Sequence, residues 1–268
     1  MTDTLPKAQA FTAEQTADLL ARFRRDGAVH AGRLLARNEA AALCRRVDEL
    51  FADSRAQNTD TFYGSYIAVR LFEWDPRFRD LMVREPMVGL MEALLGPDCH
   101  LIANNIVRNA PGQAIDNFHA DDFLWFPLPP EVPRFDARAT FPTFIVNVQV
   151  PLTDVEADQF GPTQYVPGSH YSGRKPNDPK APVFEGRGPV SIHAQAGEFY
   201  LQHSQVWHRG APNTSTRTRY LLQYSYGMRF VAQRFFPFLN YRMPDAVLAG
   251  ASERLLRVLG KHPKGAYG

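Results

Sequence analysis

The sequence predicts a mainly β protein with helices packed outside the strands, and three observations carry that prediction. Helical periodicity is confined to the first third of the chain and a short tail. From about residue 99 apolar residues alternate with polar ones in short runs broken by Pro, Gly, Asn and Asp. Two of those runs place amide side chains on one face and bulky apolar ones on the other. With 268 residues, 44% hydrophobic and 22% charged, the chain can bury a large core. One domain spanning 1–268 is expected, with a helical part over about 12–96, a β core over about 99–230 and a helical tail over about 245–260.

The helical part begins at "TAEQTADLLARFRRDG" (12–27). Thr12 and Gln15 make a capping-box pattern, Leu19, Leu20 and Phe23 recur at helical spacing, and Gly27 ends the run. A second helix is predicted in "NEAAALCRRVDELFADSR" (38–55), with Asn38 as N-cap and Leu43, Val47, Leu50 and Phe51 on one stripe. "EPMVGLMEALLG" (85–96) closes this part, with Pro86 near its start and Gly96 at its end, and "ASERLLRVLG" (251–260) reads as the last helix.

In the β region, "TFIVNVQV" (143–150) points Phe144, Val146, Val148 and Val150 one way and Ile145, Asn147 and Gln149 the other. "TRYLLQYSYG" (218–227) sets Arg219, Leu221, Gln223 and Ser225 against Tyr220, Leu222, Tyr224 and Tyr226. An amide face on so apolar a strand reads as the inside of a barrel that holds a polar ligand, or as an exposed outer face. "GPTQYVPGSH" (161–170), a turn, a short strand and a second turn, fits a jelly-roll corner. Residues 170–189 read as a long loop of the kind that forms lids, in which Arg174 and Lys175 are either solvated charges or contacts to an anionic substrate.

A formal charge of +2 argues against a nucleic-acid surface, and the basic clusters "RFRR" and "CRR" lie on amphipathic helices as solvated faces. No basic leader with an apolar run opens the chain and no stretch approaches a membrane span, so a cytoplasmic protein with no membrane or nucleic-acid partner is expected. Cys44 and Cys99 form no metal or redox pair and read as reduced, structural residues.

The chemistry-bearing residues lie in three blocks. "NFHADDF" (117–123) holds His119 and Asp121, a triplet that means little alone. In "HSQVWHRGAPNTSTRTRY" (203–220), His208 ends an apolar strand and Arg219 opens the next. Asn147 and Gln149 supply the amide face. Asp122 points away from Asp121 on an extended chain, His203 and His170 read as structural, and His30, His100, His193 and His262 carry no functional reading. Phe123, Trp125 and Phe126 follow directly after the His-Asp pair and read as core packing or as a wall for a substrate with an apolar face.

The order "HADD", "GPTQYVPGSH", "HRGAPNTSTRTR" resembles the phytanoyl-CoA dioxygenase family of Fe(II)/2-oxoglutarate oxygenases over roughly residues 12–260, most specifically in the step from His208 to Arg219. The resemblance implies a double-stranded β-helix (jelly roll, cupin-like) with helices outside. It implies His119, Asp121 and His208 as the facial triad for Fe(II), which leaves three sites for 2-oxoglutarate and O₂. Arg219 is then similar to the arginine that grips the far carboxylate of 2-oxoglutarate. Gln149 stands where relatives contact the cosubstrate, often with Trp. Gly210 stands where many have a hydroxyl residue, so that contact is expected from Arg70, Asn105 or Thr163, with Arg70 also a substrate candidate. Halogenating relatives have a small residue in place of the carboxylate; Asp121 fills that site and points to oxygen chemistry. Hydroxylation of an unactivated C–H in a small or medium metabolite, with succinate and CO₂ as coproducts, is the expected outcome. Desaturation or cyclisation is open from the same chemistry. A cupin-like binding protein or isomerase would have no use for Arg219, and a nucleic-acid demethylase would want a basic and aromatic surface ahead of the barrel.

Overall fold

The computed structural model describes residues 9–57, 62–63, 66–121, 123–136, 138–139, 141–235 and 241–263. In chain order the elements are α1 (Ala13–Asp26), β1 (Ala28–Arg33), α2 (Arg37–Ala52), α3 (Ser54–Gln57), β2 (Phe62–Tyr63), β3 (Ile67–Val69), α4 (Pro76–Leu81), α5 (Met87–Leu95), β4 (His100–Asn109) and β5 (Ile115–His119). Then follow β6 (Ile145–Pro151), β7 (Thr163–Tyr165), β8 (Val190–Ile192), β9 (Glu198–His203), β10 (His208–Gly210), β11 (Arg219–Gly227), α6 (Asp245–Leu248) and α7 (Glu253–Val258).

The strands form two antiparallel sheets, a major one in the order β1-β9-β6-β11-β4-β3-β2 and a minor one in the order β5-β10-β7-β8. The expectation of a mainly β, jelly-roll architecture with outer helices holds. The helices cover one face of the major sheet. Val146, Val148 and Val150 of β6 and Tyr220, Leu222, Tyr224 and Tyr226 of β11 share a core with Phe23 of α1, Leu43 and Val47 of α2, Phe78 of α4 and Met87 and Leu90 of α5. Full burial of a side chain such as Phe23, Phe78 or Phe199 contributes about 1.5–3 kcal/mol. Two of the core tyrosines also tie sheet to helices, because Tyr224 Oη donates to Phe78 O (2.9 Å) and Tyr226 Oη to Met82 O (2.7 Å).

The alternation read from the sequence places the other faces of β6 and β11 toward the minor sheet. Asn147, Gln149, Arg219, Leu221, Gln223 and Ser225 all line the space between the sheets, so the amide face is interior and not solvated. Capping follows prediction in α1, where Gln15 N–H reaches Thr12 Oγ1 (3.2 Å) and Thr12 N–H reaches Gln15 Oε1 (2.9 Å).

Two expectations need correction. The stretch 12–96 is not wholly helical: Ala28–Arg33 is a strand that pairs with β9 from Ala28↔Gln202 to Arg33↔Glu198, and β2 and β3 add to the far edge. Ala28, Val29 and Ala31 are buried, and a pairing partner so distant in sequence leaves no local signal. Asn38 is not the N-cap of α2. That position is Ala36, whose N–H is held by the Glu39 carboxylate at 2.8 Å. Asp122 lies outside the described residues. Among the described residues no helix is long and apolar enough to cross a membrane.

Candidate active site

The minor sheet brings the predicted histidines together by register. His119 is the last residue of β5 and His208 the first of β10, and the two are paired directly across the strands with ring centroids 4.3 Å apart. Asp121 follows β5, its N–H donating to Ser204 O (2.9 Å). Its Oδ1 lies 3.7 Å from Nε2 of His119 and 3.7 Å from Nε2 of His208. One donor atom from each of the three residues falls within 4.8 Å of the others, a spacing at which they could share one metal ion.

The hydrogen bonds behind these atoms suit them to that use. Nδ1–H of His119 donates to Asn117 O (2.9 Å) and Nδ1–H of His208 to Val206 O (2.9 Å). A carbonyl only accepts, so both rings carry their proton on Nδ1 and turn the Nε2 lone pair toward Asp121. Burial holds His208 below its usual pKa against the opposing pull of Asp121, which favours the neutral, ligating form. Asp121 Oδ2 accepts from Asn147 Nδ2 at 2.6 Å, and Ser225 Oγ donates to Asn147 Oδ1 at 2.6 Å. One oxygen of the carboxylate is thereby engaged and the other left facing the imidazoles.

Arg219, the first residue of β11, lines the same cavity and is 5% exposed. Its Nη1 donates to Gly161 O and its Nη2 to Asn109 Oδ1 (2.8 Å), while Nε has no partner. Among the described residues no carboxylate pairs with this buried cation. Burial lowers its pKa from the ordinary value, yet a guanidinium stays protonated. A buried charge answered by two neutral oxygens is an arrangement that an incoming anion completes. Gly161 is fixed for a steric reason: it sits at φ +67°, and a Cβ there would stand 2.8 Å from Ala211 O.

Around Arg219 the wall is polar. Thr163 Oγ1 receives Tyr200 Oη (2.8 Å), which is also 3.2 Å from Gln149 Oε1, and Gln149 Nε2 donates to Gln202 Oε1 (2.5 Å). Burial pushes the Tyr200 phenol up to about 12, so it remains a donor. Thr163 is paired with Gly210 across β7 and β10, which puts its hydroxyl beside the position where the glycine lacks one. Asn105 lines the cavity too and donates to Gln223 Oε1 (2.5 Å).

Arg70 is not part of this cavity. Its Nε donates to Glu73 at 3.0 Å and its guanidinium lies over the Tyr241 ring, so a local ion pair engages it and it borders a neighbouring pocket that shares Asn105 and Arg234 with the first. Arg174 is likewise occupied, donating to the carbonyls of Pro129, Val132, Pro133 and Ser172. Phe123 is 90% exposed and makes no wall by itself. Trp125 and Phe126 instead meet Phe144, with ring centroids at 5.3 and 5.7 Å, and Phe144 meets the exposed Phe230 at 5.3 Å. Sequence reasoning did not find Asn109, Tyr200 or Gln205, whose partners come from segments far along the chain. It noted Asn147 only as part of a face.

The family model for phytanoyl-CoA dioxygenase (PhyH) matches residues 23–221. The chain belongs to the phytanoyl-CoA dioxygenase family. The family is named for a dioxygenase activity. A curated relative, the uncharacterized protein Rv1501 of Mycobacterium tuberculosis, is 27% identical over 117 residues; the match covers 43% of this chain and 40% of that protein. Among solved structures the fold is shared with SnoN, a non-heme alpha ketoglutarate dependent epimerase from nogalamycin biosynthesis, at TM-score 0.65 and 21% identity over 90% of this chain and 93% of that one. HygX from Streptomyces hygroscopicus, solved with nickel and 2-oxoglutarate, matches at TM-score 0.63 and 17% identity over 84% and 90%. AviO1 from Streptomyces viridochromogenes matches at 0.59 and 23% over 81% and 96%.

Proposed function

We propose that the protein is an Fe(II)- and 2-oxoglutarate-dependent dioxygenase that hydroxylates an unactivated C–H bond of a small or medium organic metabolite, with succinate and CO₂ as coproducts. The observation that carries this reading is that one cavity holds both the His119, Asp121, His208 cluster and the buried cation of Arg219, which among the described residues pairs with no carboxylate. A metal-binding protein or isomerase without a dicarboxylate cosubstrate gains nothing from that second group.

His119, Asp121 and His208 would hold the iron, which when bound would supply the oxidising power for attack on the C–H bond. The chain's own residues do the positioning. Asn147 sets the carboxylate of Asp121, and the two backbone carbonyls set the imidazoles. Arg219 takes the far carboxylate of 2-oxoglutarate with its guanidinium preset by Gly161 O and Asn109, and Thr163 with Gln149 lines the path between. Asn105, paired with Gln223 across β4 and β11, lines the same cavity.

The cavity, about 210 Å³, is below the roughly 300–1,000 Å³ of sites that enclose a drug-sized ligand. It suits the cosubstrate and the reacting part of the substrate, and leaves the rest at the mouth. Trp125, Phe126, Phe144 and Phe230 are not in the cavity lining but form a run of ring contacts with three partly exposed members, and that apolar surface favours a substrate with an apolar face. The natural products named with SnoN and HygX, nogalamycin and hygromycin B, make biosynthesis of such compounds the setting in which to seek the substrate.

The test is an anaerobic titration with Fe(II) and 2-oxoglutarate. A weak visible charge-transfer band is expected in the wild type and lost in His208→Ala. Iron uptake without the band would sink the cosubstrate reading. Succinate release with ¹⁸O₂ incorporation into product then separates hydroxylation from an epimerase outcome like that of SnoN.

A further inference from the structure

We propose that Gln205 is a positioning residue for the metal site, acting through Asp121; the inference rests on the metal-site reading above. Gln205 lies outside the strands, in the turn between β9 and β10, and is 5% exposed. Its Nε2 donates to the carbonyls of Asp121 (2.9 Å) and Phe123 (3.2 Å), and its Oε1 accepts the N–H of Trp125 (3.2 Å). Both N–H donors and the carbonyl oxygen of one side-chain amide are thus engaged by one short segment.

That segment needs it. After His119 the chain leaves the β5 ladder, so no strand pairing fixes the direction of Asp121. Three contacts do so instead: the Asp121 N–H to Ser204 O, the Asp121 C=O from Gln205, and Oδ2 from Asn147. Two of the three come from residues 204 and 205, and the next residue, Val206, supplies the carbonyl that sets the His208 ring. One turn therefore sets the main chain of the carboxylate ligand and the tautomer of a histidine ligand. Gln205 thereby ties the main chain of Asp121 to that of Trp125 in the aromatic surface.

Removing the amide leaves two carbonyls and one N–H without partners in a part-buried segment, a cost that the segment escapes only by shifting. A shift of Asp121 is read at a bound metal, since residues that orient ligands typically change affinity about 10–100-fold when replaced. Co(II) is the probe, because its visible d–d spectrum reports ligand geometry without turnover. In Gln205→Met, which keeps length but no hydrogen bonds, and in Gln205→Glu, which accepts from Trp125 but cannot donate, the Co(II) dissociation constant should rise about tenfold and the spectrum should change. Gln205→Asn, the mildest change, stands in if the others do not fold. Asn177→Ala is the control. It removes a comparable loop clamp, at Val183 N–H and C=O, and should leave Co(II) affinity and spectrum as in the wild type. Folded Gln205 variants with wild-type affinity and spectrum, or an equal change in Asn177→Ala, would overturn the proposal. A wild-type protein that takes up no Co(II) would overturn the metal-site reading itself.

Discussion

The side-chain amide of Asn147 donates to Oδ2 of Asp121 at 2.6 Å, and this bond decides which carboxylate oxygen is left for the imidazoles. Asn147→Leu removes the donor and leaves Ser225 Oγ without its acceptor. Fe(II) affinity and turnover should fall about 10–100-fold with little loss of secondary structure, as measured by metal titration and circular dichroism.

Arg219 is held by Gly161 O and Asn109, so its plane is preset. Arg219→Lys keeps the charge but loses the fork. The KM for 2-oxoglutarate should rise at least about tenfold, equivalent to about 1.4 kcal/mol, with kcat changed far less. Steady-state succinate assays at varied cosubstrate decide it, and an unchanged KM places the carboxylate contact elsewhere.

Trp125, Phe144 and Phe230 form consecutive ring contacts at the surface. Once a substrate is in hand, Trp125→Ser and Phe230→Ser should raise its KM, each by about 1–3 kcal/mol of lost apolar contact, while the KM for 2-oxoglutarate stays put. A parallel rise of both constants would mean that the residues hold the fold and not the substrate.

Burial pushes His170 down from 6.5 to about 4, its Nε2 bonded to Arg24 O. The unfolded chain takes up a proton near the higher value and the folded chain only near the lower one. This contribution to stability is therefore complete above about pH 6.5 and is lost as pH falls toward about 4, by at most about 3 kcal/mol. Denaturant midpoints between pH 7 and 4 should fall less steeply in His170→Phe than in the wild type.

Tyr224→Phe strands the Phe78 carbonyl that its hydroxyl now reaches, inside the core between β11 and α4. A loss of about 1–3 kcal/mol is expected by equilibrium unfolding, with cosubstrate binding retained because the tyrosine faces away from the cavity.

The parts of the fold that were legible are those with a local cause. Thr12 and Gln15 cap a helix with atoms three residues apart, and the faces of β6 and β11 follow from strict alternation. That His119, His208 and Arg219 belong to one site was legible only through the family resemblance that the order of the motif blocks carries. The cross-strand register that delivers them comes from strand pairings no local pattern encodes. What escaped has the same root. β1 is a strand because β9 pairs with it, Gln205 matters because of Asp121 and Trp125, and Asn109 because Arg219 lies opposite it on β11. Arg70 was misplaced for the opposite reason: its partner Glu73 is only three residues on, an ordinary ion pair passed over in favour of a distant role.

The two sheets are unequal in a way that reaches beyond catalysis. The major sheet has strands of ten, nine and seven residues laid against helices, whereas β5, β10, β7 and β8 run to five, three, three and three. An ion held by His119 and His208 would rivet β5, at one edge of this sheet, to its neighbour β10, so that its binding energy becomes cohesion of the weaker sheet. Amide hydrogen exchange should then be slow in β6 and β11 with or without metal, and fast in β5 and β10 until metal is added. For this chain, keeping the ion and keeping the minor sheet closed become one thermodynamic event.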